Sequence, residues 1–240
     1  MIDWQRSYCG VAPGPDGWAT RWNFDPVLLV VLGLVVVACL RLHGSRRHAG
    51  LAAVAAALVA FVSPLCALSV ALFSARAVHH LVVVAVVAPL LAVAWPPRRG
   101  GIAAALPVST VLLWAWHVPA LYDAALANVA IYWAMQATLL AGFWWFWGAI
   151  RRASPAEAVA GIAGGAVQMG FLGALLTFAT RPLYESHLVT TVPFGIGPLV
   201  DQQLAGLVMW VPGMAPYAVA AAWIAARRWH AFAATAAAAT

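Results

Sequence analysis

The sequence contains no lysine, and only 8% of its 240 residues are charged. The missing lysine excludes a Schiff base to retinal or any other carbonyl cofactor. The scarcity of charge excludes an ordinary soluble domain, in which about 25% of residues are charged. There are three cysteines, and none forms a CxxC pair. Cys39 and Cys66, late in two successive apolar runs, are expected near opposite faces of a membrane, so they read as packing residues and poor disulfide partners. Nothing in the sequence marks Cys9 as reactive. A dinucleotide fingerprint, a P-loop and a serine nucleophile elbow are also missing, as is any internal repeat. No carboxylate falls in the middle of an apolar run, where a proton or cation pathway would place one.

What is present is apolar length. Hydrophobic residues make up 65% of the chain, and the mean hydropathy is +0.89. A spanning helix needs about 20 such residues. Seven runs qualify, at about 26–42, 50–73, 76–96, 101–117, 128–149, 155–180 and 199–228. The expected fold is therefore a single all-α domain over residues 1–240, with seven transmembrane helices. Local signals agree. Asp25-Pro26 supplies an N-cap and a first-turn proline, and Ser154-Pro155-Ala156-Glu157 reads as a capping box. Trp95-Pro96-Pro97 closes the third run, and Pro107 is placed to kink the fourth. The first run follows Asp3, Asp16 and Asp25 rather than a basic segment, so it is expected to persist as an anchor and not to be cleaved. The Ala-rich stretch from 231 reads as a frayed tail.

The net charge of +6 sits in short loops, so it is no nucleic-acid footprint. Arg41, Arg46, Arg47, Arg98, Arg99, Arg151, Arg152, Arg227 and Arg228 fall on one face. Only Arg6, Arg21, Arg76 and Arg181 fall on the other. The positive-inside rule puts the first face in the cytoplasm, with the N-terminus outside and the C-terminus inside. Trp18, Trp22 and Phe24, and Trp144, Trp145, Phe146 and Trp147, read as interfacial belts. Gly161, Gly164, Gly165, Gly170 and Gly173 read as a stripe for close helix packing.

The polar residues are asymmetric. Asp3, Asp16, Asp25, Asp123, Glu185 and Asp201 are expected outside, and Glu157 alone inside. His43, His48 and His230 lie in basic segments. His79, His80, His117 and His187 share the outer face. The stretch Trp114-Ala115-Trp116-His117-Val118-Pro119 ends a run, because Pro119 biases Val118 away from helix. It leaves an imidazole at a helix end, with Tyr122 and Asp123 in the turn behind it. His79 and His80 point about 100° apart on a helix, and His80 is the expected inward one. Imidazole with thioether suits copper, and imidazole with carboxylate suits zinc or iron. Met209 lies two turns below Asp201, and Met135 precedes Gln136. Haem held by His80 and His117 is the alternative. Asp201 can instead cap its own helix. At least one of Gln202 and Gln203 is expected to bond across the bundle.

These residues carry a family resemblance. Ser63-Pro64-Leu65, Arg76-Ala77-Val78-His79-His80-Leu81, Ala88-Pro89-Leu90, Trp116-His117-Val118-Pro119-Ala120-Leu121-Tyr122-Asp123 and Asp201-Gln202-Gln203-Leu204-Ala205-Gly206-Leu207-Val208-Met209-Trp210 resemble the CtaG family of bacterial caa-type cytochrome c oxidase assembly factors, over about 60–228. The resemblance implies a non-enzymatic inner-membrane protein that helps to seat copper in an oxidase from the outer face. Its implied partners are oxidase subunits or copper chaperones. The residues it carries over are His80, His117, Asp201, Gln202, Gln203 and Met209, with His79, Gln136, Tyr122, Asp123, Trp116 and Arg76 in support. Where the family usually has further histidines, this chain has Arg76, Tyr132 and Gln136. Arginine cannot ligate a metal, and a glutamine offers only a carbonyl oxygen. A metal-free structural partner of an oxidase is therefore a second expectation, and a membrane haem or quinol-linked protein a third.

Overall fold

The computed structural model describes residues 7–237. It leaves Asp3 and Arg6, and the side chains of Arg227, Arg228 and His230, outside the described residues. The described residues are helical with no strand. The helices are α1 (Pro26–Leu40), α2 (Gly44–Phe61), α3 (Leu65–Ala71), α4 (Phe73–Ala94), α5 (Ile102–Ala115), α6 (Pro119–Ala127), α7 (Val129–Arg152), α8 (Pro155–Thr177), α9 (Pro198–Trp210) and α10 (Ala215–Ala237). Four stretches are long and apolar enough to cross a membrane: α4, α7, α8, and α9 with α10. Six qualify if two bent pairs each count as one span. The seventh expected run is α1, which has 15 residues. At 1.5 Å per residue it reaches about 22 Å, short of a hydrocarbon core of about 30 Å.

Both bent pairs break at proline. α2 and α3 meet at 42° across Ser63-Pro64, and α5 and α6 at 72° across Trp116–Val118. The second break follows from Pro119, which holds Val118 extended at φ −66°, ψ 123° and then sits at N1 of α6. Tyr122 and Asp123 therefore lie on a short helix and not in a turn. Pro107 is carried within α5 without ending it. The two expected caps form. Asp25 accepts from the amides of Val27 and Leu28, and Ser154 with Glu157 makes a reciprocal capping box.

Four further expectations need correction. α2 begins at Gly44, so Arg46 and Arg47 are in its first turn and not in a loop; Arg46 donates to the Ala94 carbonyl. α4 begins at Phe73, which puts Arg76 one turn inside the helix and fully buried. The last helix runs to Ala237, through the stretch read as frayed. Cys66 is not a packing thiol: it is disulfide-bonded to Cys9, fastening residues 7–12 to the start of α3. Cys39 is the free, buried one.

α4 has a π-helical middle, Val82–Val87. Trp147 of α7 is buried there and donates its indole N–H to the Val84 carbonyl at 2.9 Å. Trp147 and Phe146 are thus core residues and not part of a belt, while Trp144 and Trp145 donate to carbonyls of the 95–99 loop. The glycine stripe of α8 does what its composition implies. A Cβ at Gly173 would lie 2.8 Å from the Gly206 carbonyl, so α8 and α9 cross backbone to backbone. α9 also packs along the first half of α4, which places α4, α5, α7, α8 and α9 around one interior.

Candidate functional site

The interior is polar at one end of the bundle. That end carries the disulfide, the Ser63-Pro64 and Trp116–Val118 breaks, and the 178–197 loop; it is called the site face below. The other end carries the arginines of the 41–47 stretch, the 95–101 loop and the last turn of α7.

His80 on α4 and His117 at the α5 break come together there. Their ring centroids are 6.2 Å apart and the rings meet edge-on. Both are buried, and they line a cavity of about 10 Å³ with Ala77, Leu81, Val84, Leu113, Leu139, Met169 and Met209. That is room for about one water molecule or a bare ion. Helix geometry explains the choice of His80 over His79. Successive side chains diverge by about 100°, and His79 turns instead to the edge of Phe61, 4.9 Å away.

The ring of His117 is held by the last turn of α5. Its Nδ1 lies 2.7 Å from the Leu113 carbonyl. A carbonyl only accepts, so Nδ1 carries the proton and Nε2 keeps the lone pair. Gln136 of α7 is buried with its Nε2 at 3.4 Å from Nε2 of His80, and its Oε1 has no partner. The two ends of an amide are isosteric, so the same side chain can accept from an Nε2–H of His80 and leave the lone pair on its Nδ1. Trp116 donates to the Thr138 hydroxyl at 2.9 Å, tying the α5 break to α7.

The carboxylates of the site face serve as clamps. Asp201 does not cap its own helix, whose N-cap is Gly197. Its Oδ2 accepts from the Phe73 amide at 2.6 Å, and its Oδ1 accepts from the Ser74 amide at 3.2 Å and from the Ser74 hydroxyl. Asp201 is thus the cap of α4, the helix that carries His79 and His80. Asp123 plays the same part for the short Glu185–His187 turn: it accepts from the amides of Glu185 and Ser186, both at 3.2 Å, and from the Ser186 hydroxyl at 2.6 Å. Gln202 accepts from the Leu183 amide at 2.7 Å and donates to the Arg181 carbonyl at 3.3 Å, while Gln203 donates to the Ala179 carbonyl at 3.2 Å. The two glutamines therefore bond across to the segment after α8, as expected of at least one of them.

His187 and Tyr122 form a second pair. His187 Nδ1 faces the Ala71 carbonyl at 3.4 Å, so the Tyr122 hydroxyl donates to Nε2 at 2.7 Å. Burial, with help from the charge on Arg76, pushes the His187 imidazole down to about 3 against the pull of the Ala71 carbonyl. Beside it Tyr184 donates to the His117 carbonyl at 3.0 Å, and burial raises its phenol above the usual range.

The four histidines are thus divided: His80 with His117 at the small cavity, His187 on Tyr122, and His79 against Phe61. Among the described residues no group of three or more His, Cys, Asp or Glu is placed to hold a metal. Met135 is buried but does not line the cavity, whereas Met169 does. The sequence reading missed Met169. The available signal was its spacing: four residues after Gly165 and four before Gly173, it shares the packing face of α8.

No curated protein and no solved structure matches the chain. Residues 102–231 match the model of the cytochrome c oxidase caa3 assembly factor family, Caa3_CtaG. The match takes in the α5 break with His117, Gln136, Met169, the Asp201–Gln203 run and Met209. His79 and His80 lie before it. That span is more than half of the sequence, so the chain belongs to the Caa3_CtaG family of cytochrome c oxidase caa3 assembly factors.

Proposed function

We propose that the protein assists oxidase assembly by holding one copper ion at the small cavity, reached from the periplasmic side of the bacterial inner membrane. The observation that carries this reading is the approach of His80 and His117 to 6.2 Å beside two thioethers, Met169 and Met209. Two imidazoles and two sulfurs are a soft donor set, suited to Cu(I) rather than to zinc or iron. These four residues would hold the ion. Asp201 contributes by fixing α4 and not as a ligand, because both its oxygens are already engaged. The bound ion supplies no chemistry in place; it is cargo for the oxidase or for a copper chaperone, and the chain performs no catalytic step of its own.

Two observations support the orientation. The arginine-rich loops oppose the site face, and cytoplasmic loops are the arginine-rich ones. The Cys9–Cys66 disulfide lies at the site face, and disulfides persist on the oxidising side. Seven spans, with α1 as the first, fit an N-terminus on the oxidising side and a C-terminus in the cytoplasm.

The cavity speaks against haem. A ring separation of 6.2 Å suits two axial ligands, but space of about 10 Å³ is far below that of a macrocycle. One observation favours a metal-free scaffold instead: the fully buried Arg76 adds a positive charge near His80. Copper analysis of the purified protein under reducing conditions separates the readings. The copper reading expects about one ion per chain, lost in His80→Ala and His117→Ala and weakened at least tenfold in Met209→Leu. The scaffold reading expects no copper above a metal-free control, and oxidase assembly intact in a well-folded His80→Ala protein.

A further inference from the structure

Arg76 is the one fully buried cation among the described residues; its Nε, Nη1 and Nη2 lack a well-aligned hydrogen-bond partner, and only the neutral Tyr122 and Tyr132 hydroxyls lie near enough to accept from them. Its guanidinium carbon lies 5.4 Å from the centre of the Tyr132 ring. The other groups near enough to feel its charge are Tyr122, Tyr132, His79, His80 and His187. Both ring nitrogens of His79 are likewise buried and unpartnered. The nearby carboxylates are spent elsewhere: Asp123 on Glu185 and Ser186, Asp201 on Phe73 and Ser74. An arginine cannot shed its proton, and a charge taken out of water without a counter-charge is among the most costly groups a fold can hold. A ring face compensates only part of that cost, on the order of 2 kcal/mol when desolvated. The surroundings offer neutral donors and no negative charge, which is the inverse of a cation site.

We propose that Arg76, with the Tyr132 hydroxyl and the His79 ring N–H, binds a small monovalent anion of about chloride size. The anion supplies the counter-charge that the chain lacks. Arg76 is the fourth residue of α4, one turn from the site face, so the anion enters from that side. None of these groups is among the proposed copper ligands, so the anion can be tested on metal-free protein.

The test uses the full chain purified in a non-ionic detergent without halide, and chloride-36 as probe. Wild type is expected to bind about one chloride per chain saturably. Its unfolding temperature should rise by about 5 °C between chloride-free gluconate and saturating chloride at equal ionic strength. Arg76→Met removes both effects, and Arg76→Lys keeps the charge and retains weaker binding. Absence of saturable chloride binding by wild type overturns the proposal even if the Met variant does not fold. So does binding that persists unchanged in Arg76→Met. A tyrosinate absorbance band in wild type at neutral pH, lost in Arg76→Met, also overturns it, because the counter-charge would then be a phenolate of the chain itself.

Discussion

Asp201→Ala tests whether the site-face carboxylate is a clamp. The side chain accepts two amide N–H bonds from the first turn of α4 and one from the Ser74 hydroxyl, and it is fully buried. A bond to a charged acceptor contributes about 1.5–3 kcal/mol, and each buried N–H left open costs about 1–3 kcal/mol. Against this stands the release of a buried carboxylate from its desolvation cost. The loss of a helix cap is typically about 0.5–2 kcal/mol, and this one is buried and makes three bonds. The net expectation is a loss of about 2–4 kcal/mol. At about 2–4 °C per kcal/mol for a chain of this size, the unfolding temperature in detergent should drop by roughly 5–15 °C. Ser74→Ala removes only the hydroxyl bond and should cost about 1 kcal/mol. Because the two side chains share one bond, the double variant should be less destabilised than the sum, by about 0.5–1 kcal/mol. Fraying of α4 also moves His80, so under the proposed copper role copper retention should weaken in step with stability. A drop below about 1 kcal/mol for Asp201→Ala, or strict additivity with Ser74→Ala, would refute the capping role.

Three further outcomes are expected. His187 is held neutral when folded, near 3, against an ordinary value of about 6.5. Its contribution is therefore complete above about pH 6.5 and is lost as the pH falls towards 3, at up to about 1.4 kcal/mol per pH unit. His187→Gln should flatten that acid limb in unfolding measured from pH 7 to 4; an unchanged slope would show that His187 is not buried neutral. Gly173→Leu puts a side chain where even a Cβ meets the Gly206 carbonyl at 2.8 Å. It should cost about 3 kcal/mol or more by unfolding, and Gly170→Ala, where nothing comes closer than 3.7 Å, should cost under 1 kcal/mol. Reduction, or Cys66→Ser, opens a link between residues 57 apart and should lower stability by about 2–4 kcal/mol; two fewer alkylatable thiols before reduction than after it would verify the bond.

Much of the helical layout was legible because its signals are local. Asp25-Pro26 and Ser154-Pro155-Ala156-Glu157 begin helices where their capping chemistry says they should, and Pro119 ends α5 within two residues of the expected point. Choosing His80 over His79 was also local, since 100° per residue lets only one ring face the interior. What stayed hidden depends on partners distant in sequence. Asp201 sits in a first turn and reads as a cap for its own helix; only packing of α9 on α4 shows that it caps Phe73 and Ser74, 127 or more positions away. The Cys9–Cys66 bond joins a segment of no marked pattern to a helix start, and spacing does not reveal such a pairing. Met169 looked like one apolar residue among many, because a thioether gains meaning only beside other ligands. The apolar run reads as starting at Arg76, which leaves it at a helix end; α4 starts a turn earlier, at Phe73, because Asp201 caps that turn from another helix, and this buries Arg76.

The same pattern explains why the site lies where it does. A chain with seven acidic residues has few negative charges to spend, and two of them, Asp123 and Asp201, are buried as clamps at one end of the bundle. Asp201 fixes the start of the helix bearing His80. Asp123 fixes the Glu185–His187 turn, which carries His187 and adjoins Tyr184, and Tyr184 in turn holds the His117 carbonyl. Each imidazole at the cavity is thus positioned by a carboxylate acting through backbone N–H groups and not by contact with the ring. This division leaves the cavity itself uncharged, lined by imidazole, thioether and aliphatic carbon. An uncharged, soft and nearly dry site discriminates by donor type: a hard divalent cation would give up hydration and carboxylate partners there for nothing comparable, whereas Cu(I) loses little. Under the proposed copper role, metal selectivity should therefore survive changes to the clamps even as affinity falls. Asp201→Asn should bind less copper and no more zinc, while Met209→Asp, which brings a carboxylate to the cavity, should shift the copper-to-zinc ratio towards zinc by at least tenfold.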